Sequence, residues 1–465
     1  MRRPAQCSRY LEVHLTSKRP AHVVVLFLFV TVSVAPPASA QSPLSLSQAI
    51  ARAKAHNPDA GAAAAAEREA AERVTQARGG YFPKVDVAES WQRGNNPVFV
   101  FSSLLAQGQF TAADFAPGSR LDALNHPAAT DNFRSAFSVE QPLFDRTISA
   151  NLRATSIARH MAATSRQLVD QELTSAVTDA FGRVLIAAAT ARSAAAMVET
   201  ARADREVAGN RRDAGRVTDA DVLQLDVYLA RTLEQQVQAT SNERIARAQL
   251  NQLMGEPLDT MFTMFSVDLV PPAIAIDITD PAGLEEEALK NRPEVALALQ
   301  QEQLVAATVD AAKAAFLPQV SAQGGWELNG GAWNSRASSW VAGAVARINL
   351  FHGFADKSRL AEAREQATRR ALEKGKAETM ARLDVQIAIA RLEAARASEA
   401  VGRAAADQAR ESRRIIRDRY ESGLTDAAML LRSADAVLQA DAQQIAARVN
   451  VLTATVTLQR AIGRP

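Results

Sequence analysis

YFPKVDVAESW (residues 81–91) recurs as FLPQVSAQGGW (residues 316–326), 235 positions further on. In both copies a proline ends whatever helix precedes it, because its ring removes a backbone donor, and a tryptophan follows at the same offset. Upstream, Asn57-Pro58 matches Arg292-Pro293 at the same spacing. Downstream the spacing falls to 207, pairing Leu143-Phe144 with Leu350-Phe351. It then holds at 208 for Gly215 with Gly423, Gln235-Gln236 with Gln443-Gln444, Leu250 with Leu458, Gly255 with Gly463 and Pro257 with Pro465. Landmarks that keep their order over 200 residues mark a duplication, with about 28 extra residues in the first copy between Trp91 and Leu143.

The duplication divides the chain into a first repeat over 41–257, a linker over 258–283 and a second repeat over 284–465. Each repeat reads the same way. A helix comes first (Ser47–Arg78; Leu284–Ala315), then two β segments (84–91 and 133–144; 319–328 and 340–351). A very long helix follows (Arg146–Arg212; Ala355–Glu421), a glycine tip (213–218; 421–425) and a last helix (Asp219–Met254; Thr425–Ile462). About 65 residues at about 1.5 Å each make a rod of roughly 100 Å, too long for the inside of a compact domain. Its apolar residues step by 4,3,4,3: Leu173, Val177, Ala180, Val184, Ala187, Ala191, Ala194 and Val198 in the first copy, and Leu383, Ile387, Ala390, Ala394, Ala397, Val401 and Ala404 in the second. Such a repeat predicts a left-handed coiled coil, and its many alanines predict close helix packing.

Ahead of the repeats, residues 1–40 carry five basic groups and one acid, an apolar run Val23–Val34, Pro36-Pro37 and a small-x-small site, Ala38-Ser39-Ala40. This is the pattern of a cleaved secretory signal; the run is too short for the roughly 20 residues of a spanning helix. The formal charge of +2 then becomes −2 for the remainder, which gives no reason to expect nucleic acid. The single cysteine, Cys7, falls inside the signal, so no disulfide is expected. No later stretch reaches 18 consecutive apolar residues, which leaves β-strands as the way such a chain would cross a membrane.

The β segments alternate. Phe133, Ser135, Phe137, Val139 and Gln141 share one face, with Arg134, Ala136, Ser138 and Glu140 on the other. Trp91, Phe133, Trp326 and Trp340 fall near strand ends on the loop side, where an aromatic girdle would sit. Four strands cannot close a barrel, since the smallest bacterial membrane barrels have about eight, and an open sheet in lipid leaves unpaired edges. If these strands span a membrane, several chains must share one barrel.

LSLSQAIARAKAHNP and LEEEALKNRPE at the openings of the two repeats, YFPKV and FLPQV at the turns into the strands, and VEQPLF and INLF at the returns to the long helices together resemble the TolC-type outer-membrane efflux family. The likeness runs from Leu44 to the C-terminus. It implies a mainly α chain with a membrane β part: duplicated helix–β-hairpin–helix halves, a homotrimer, a 12-stranded β-barrel in outer-membrane lipid and a helical coiled-coil barrel through the periplasm. It also implies a periplasmic adaptor and an inner-membrane pump as partners, with cargo ranging from small molecules to proteins.

Carried over position by position, the likeness makes the tips adaptor-docking elements: Gly215, Arg216, Val217 and Thr218 in the first, Gly423, Leu424 and Thr425 in the second. A glycine between helices is equally a simple C-cap, and both roles can hold at once. It implies that Tyr420 bonds Asp221 and helps close the pore. Where some relatives place an arginine this chain has Thr425, and where some ring the pore with aspartates it has Met429 and Arg432. The expectation is a constriction built from Met429 and Arg432 that disfavours cations. The long first loop, Gln92–Asn132, is rich in apolar residues (Phe99, Phe101, Leu104, Leu105, Phe110, Phe115). It either covers the outer mouth of the barrel or packs on itself.

No catalytic constellation stands out. His56, His126, His160 and His352 are isolated, Gly375-Lys376 lacks the rest of a phosphate loop, and Glu285-Glu286-Glu287 lie near a helix start, where carboxylates suit the dipole. No enzyme activity, cofactor or metal is expected. Two classes remain: a passive export duct, and a periplasmic coiled-coil scaffold or adaptor without a membrane span. The duplicated strand pairs favour the duct, because a scaffold has no use for them.

Overall fold

The structure is a computed structural model that describes residues 43–116, 125–262 and 276–464. The predicted signal segment and the middle of the linker lie outside these residues.

Each repeat opens with two helices where one was expected. In the first, α1 (Leu46–His56) and α2 (Pro58–Gly79) are separated at Asn57, whose side chain accepts from the Asp59 amide at 2.8 Å. The chain then runs through β1 (Lys84–Gly94), α3 (Pro97–Ala106), a short 3-10 turn (Ala112–Phe115), β2 (Thr130–Phe144), α4 (Arg146–Asp213) and α5 (Asp219–Met254). The second repeat follows with α6 (Pro281–Asn291), α7 (Pro293–Ala314), β3 (Gln319–Ala332), β4 (Ser335–Arg347), α8 (Ala355–Glu421) and α9 (Ala427–Ala461). The breaks have one cause. Pro58 and Pro293 each occupy the first turn of the second helix, where a missing N–H costs nothing, and each forces the preceding residue out of helical geometry.

The same contact closes both repeats. Gly255, at φ +69°, leaves no room for a Cβ, which would lie 2.5 Å from the His56 carbonyl oxygen. Gly463, at φ +77°, packs likewise against Asn291, 2.6 Å from its carbonyl carbon. Each glycine thus seats the end of a last helix on the break that opens its own repeat.

The two long helices run the length of the helical part. At the strand end α2 packs on α4, and α7 lies between α4 and α8; toward the tips α5 and α9 flank α4, and α8 packs on α9. The lateral order is therefore α2–α4–α7–α8 above and α5–α4–α9–α8 below. The first predicted seam faces inward: Leu173, Val177, Ala180, Val184, Ala194 and Val198 are buried, and Ala187 and Ala191 are half-buried. The second predicted seam does not. Leu383, Ile387, Ala390, Ala394, Ala397, Val401 and Ala404 are all exposed, and α8 instead buries Ala381, Val385, Ala388, Ile389 and Leu392 against its own chain. Periodicity reports which residues need cover, not which chain supplies it. On the opposite flank, α5 exposes Leu223, Val227, Val237 and Ile245.

The four strands form one antiparallel sheet in the order β1-β2-β3-β4. They reach further toward the loops than the sequence suggested, and β4 stops at Arg347, so Asn349–Phe351 lead into α8 and are not strand. The register sets Trp91 opposite Phe133, Phe137 opposite Trp326 and Trp326 opposite Trp340. These aromatics share one face with Val85, Val87 and Val139; Trp340 is 78% exposed. Trp91 and Phe133 lie toward the loop ends, whereas Trp326 and Trp340 sit mid-strand because their strands continue past them. The other face carries Asp86, Arg134, Glu327, Asn329 and Gln323.

Candidate functional site

The tips are the ends of two helical hairpins, α4–α5 and α8–α9. Gly215 (φ +68°) and Gly423 (φ +78°) turn them in left-handed geometry that side-chain-bearing residues disfavour. Thr218 then caps α5 and Asp426 caps α9, the latter accepting from the Met429 amide at 2.8 Å. Arg216, Thr218 and Leu424 are exposed; Val217 and Thr425 are half-buried.

Asp221 and Tyr420 are not bonded to each other. The Asp221 carboxylate closes a capping box, accepting from the Thr218 amide at 3.0 Å and the Thr218 hydroxyl at 2.8 Å. Tyr420 is 3% exposed, packed with Ala427 and Leu430, and its hydroxyl is buried without a hydrogen-bond partner. Burial pushes its pKa up, with the charge of Arg211 opposing.

Three other ties hold the first hairpin to the second. The Arg211 guanidinium donates to the Tyr420 carbonyl oxygen and lies 5.1 Å from the centre of the Tyr420 ring. About two helical turns above, Arg413 pairs with Asp204 at 3.3 Å. Both side chains are largely buried, and one Arg413 nitrogen, Nη1, has no partner. Burial raises the Asp204 pKa, against the lowering effect of Arg413. Further up, the Tyr228 hydroxyl donates to Asp435 at 3.3 Å, and burial with the nearby Asp435 charge pushes its pKa up to about 12.

Sequence reasoning missed these ties, although a signal existed. The partners stand 209, 209 and 207 residues apart, within one residue of the repeat spacing of 208. Complementary residues at equivalent positions of the two copies point to contact between them.

Met429 and Arg432 project from α9 together, one turn apart. Met429 is 42% exposed and Arg432 is exposed, while Ala427, Leu430 and Ala434 are buried on the far side of the helix. Both therefore point away from the packed interior of their own chain. Among the described residues no cluster of histidine, cysteine or acidic side chains could hold a metal.

The sequence profile of the outer membrane efflux protein family matches residues 49–256 and 284–464. Protein CyaE of Bordetella pertussis is 29% identical over 323 residues, covering 68% of this chain and 67% of that one. Among solved structures, the outer-membrane channel OprN shares 21% identity over 90% of each chain, with a TM-score of 0.74. CusC, whose structures address folding and transmembrane channel formation, shares 15% over 91% of this chain and 93% of its own, at 0.76. The open state of the Neisseria gonorrhoeae MtrE outer membrane channel shares 15% over 90% and 89%, at 0.73. At these identities the likeness to solved structures is one of fold.

Proposed function

The chain belongs to the outer membrane efflux protein family, and from that premise we propose that three copies close into a single passive export duct through the outer membrane. The observation that carries this reading is that both layers of the protomer end in uncovered edges. Among the described residues β1 and β4 are the outer strands of the sheet, and each pairs with one neighbour. α5 and α8 are the outer helices at the tip end, and each carries an exposed apolar stripe. Joining β4 of one copy to β1 of the next pairs the strand edges, and the same rotation brings α8 to α5.

Three copies rather than two follow from bore. Eight strands make a barrel just wide enough for its own side chains; twelve leave room for an aqueous passage. The aromatic face then turns to lipid and the face with Asp86, Arg134 and Glu327 lines the water-filled inside. The helical layers continue the duct into the periplasm. The tips, with Gly215, Arg216, Val217 and Thr218 beside Gly423, Leu424 and Thr425, dock a periplasmic adaptor that joins the duct to an inner-membrane pump. Met429 and Arg432 from three copies form the constriction, and the ties centred on Arg211 and Asp204 hold it closed. The cargo is small molecules or proteins.

The test is extraction and mass. Membrane fractionation followed by native mass measurement in detergent should find the protein with the outer membrane and trimeric. A monomer that stays in the soluble periplasm, as a coiled-coil scaffold would, overturns the reading.

A further inference from the structure

The 92–132 segment, whose counterpart in the second repeat is the tight turn between β3 and β4, contains a helix that is apolar but for Ser102 and Ser103. α3 reads PVFVFSSLLA. It lies across β2, β3 and β4 at their loop ends and buries Val100, Ser103 and Leu104 there. Gln107 at its end fastens it, donating to the Asp131 carbonyl at 2.9 Å and to Asn132 Oδ1 at 3.1 Å, and Asn132 in turn donates to Asn329 at 3.0 Å. Asn132, Asn329 and Ala337, against which Gly108 packs, all lie on the polar face of the sheet. The helix therefore stands on the inward side.

Among the described residues, little of the chain covers the rest of α3. Val98 is 77% exposed and Leu105 58%, with Phe101 between them, and Phe101 continues into an aromatic row through Phe110 to Phe115 at ring distances of 5.1 and 5.7 Å. A helix with apolar residues on both its covered and its uncovered side needs cover on both. Because it sits inside the barrel, neither lipid nor an edge strand can reach it.

We infer that the second surface of α3 is covered by α3 of the other two copies, forming a three-helix apolar plug in the outer mouth of the duct. This rests on the trimeric reading above. Twelve strands about 4.8 Å apart and tilted about 40° give a backbone radius of about 12 Å. Three helices in mutual contact at about 8–10 Å need axes about 5 Å from the centre, which leaves about 7 Å from each axis to the sheet. That is a close approach, and Ala337, Gly331 and Gly108 are the small residues found where the segment meets the strands. The plug excludes water and ions as an apolar constriction does, so the duct is gated at its outer end as well as at its tips.

Cysteine cross-linking tests this, because Cys7, in the predicted signal, is the only natural cysteine. Phe101→Cys and Leu105→Cys are made separately in full-length protein; both positions are exposed, and far-UV circular dichroism shows that each variant folds. Each is treated in outer membranes with a short bismaleimide, and the oligomeric state is measured by native mass in detergent. Around a three-fold axis only two of three equivalent thiols can be joined. The expected result is a trimer whose denatured chains plateau at about two thirds linked dimer and one third monomer. A trimer whose thiols all remain single and freely alkylated overturns the plug and leaves the duct standing. Complete conversion to dimer also overturns it, since that marks a two-fold contact. A protein that is not trimeric removes the duct and the plug together.

Discussion

Arg211→Ala should open the periplasmic end, and Tyr420→Phe should not. Arg211 donates to a carbonyl oxygen of a residue 3% exposed and faces its ring at 5.1 Å. A hydrogen bond from a charged donor is worth about 1.5–3 kcal/mol, and a partly exposed cation–π contact about 0.5–1 kcal/mol. Removing the guanidinium therefore weakens the hold of one hairpin on the other by about 2–4 kcal/mol per copy. At about 1.4 kcal/mol per factor of ten, the open tip gains roughly 30- to 700-fold in population. Tyr420→Phe removes a hydroxyl that has no partner, which leaves packing intact and relieves an unsatisfied buried group, so its channel should stay as closed as the parent. The assay is single-channel recording of the purified protein in planar bilayers, with far-UV circular dichroism to show that the helices persist. The expected result is a large rise in open probability for Arg211→Ala, unchanged in a Tyr420→Phe background. The opposite order, with Tyr420→Phe opening and Arg211→Ala silent, would put the hydroxyl in control and refute the reasoning.

Gly463→Ala should lower the unfolding midpoint in denaturant more than Gly215→Ala does. Both sites have positive φ, costing alanine about 1–2 kcal/mol, but only at Gly463 would the new Cβ sit 2.6 Å from a backbone carbon; at Gly215 nothing lies within 4 Å. Equal shifts would mean that the closing contact gives way freely. Arg432→Ala should move the reversal potential in a salt gradient toward cations, and unchanged selectivity would take Arg432 out of the constriction. The pH prediction concerns Glu287, whose pKa is lowered by the hydrogen bonds from Arg464 at 2.7 and 2.9 Å, with burial opposing. A lowered carboxylate pKa contributes stability above the unfolded value, about 4.3, and loses it as pH falls through the folded value. Glu287→Gln should therefore lower the melting temperature at pH 7, and the gap to the parent should narrow as pH falls below the ordinary carboxylate range; a gap independent of pH would exclude the pair as its source.

What could be read from the sequence was what repeats locally. The bounds of α4 and α8 were legible because Asp145 caps one start, glycines end both, and nothing within 67 residues breaks the periodicity. The breaks at Asn57-Pro58 and Arg292-Pro293 are harder to read, since both flanks are apolar enough to pass for one helix. α3 was hidden in a loop of mixed composition, where eight apolar residues interrupted by Ser102 and Ser103 carry no helical period to detect. The strands read short in the sequence, because their loop ends carry Arg93, Asp131 and Asn132, polar residues that fit a barrel's inside or rim as well as a turn.

The site was less legible than the fold for a reason that lies in duplication itself. A search for repeats looks for sameness, and the landmarks it finds, such as Gly215 with Gly423, are those that do the same job twice. Where the two copies meet each other, sameness is the wrong chemistry: an arginine facing its own equivalent would set charge against like charge in a half-buried gap. Contact between the hairpins needs the copies to diverge into complements. That is what stands at the near-equivalent positions, Asp204 against Arg413 at 3.3 Å and Tyr228 against Asp435 at 3.3 Å. Arg211 goes further, because its acceptor is a backbone carbonyl, which every residue carries and no motif records. Exchanging the partners, with Asp204→Arg and Arg413→Asp together, should keep the hairpins joined where either change alone parts them and raises open probability. If the exchange opens the tips as much as the single changes do, the divergence is not what holds them.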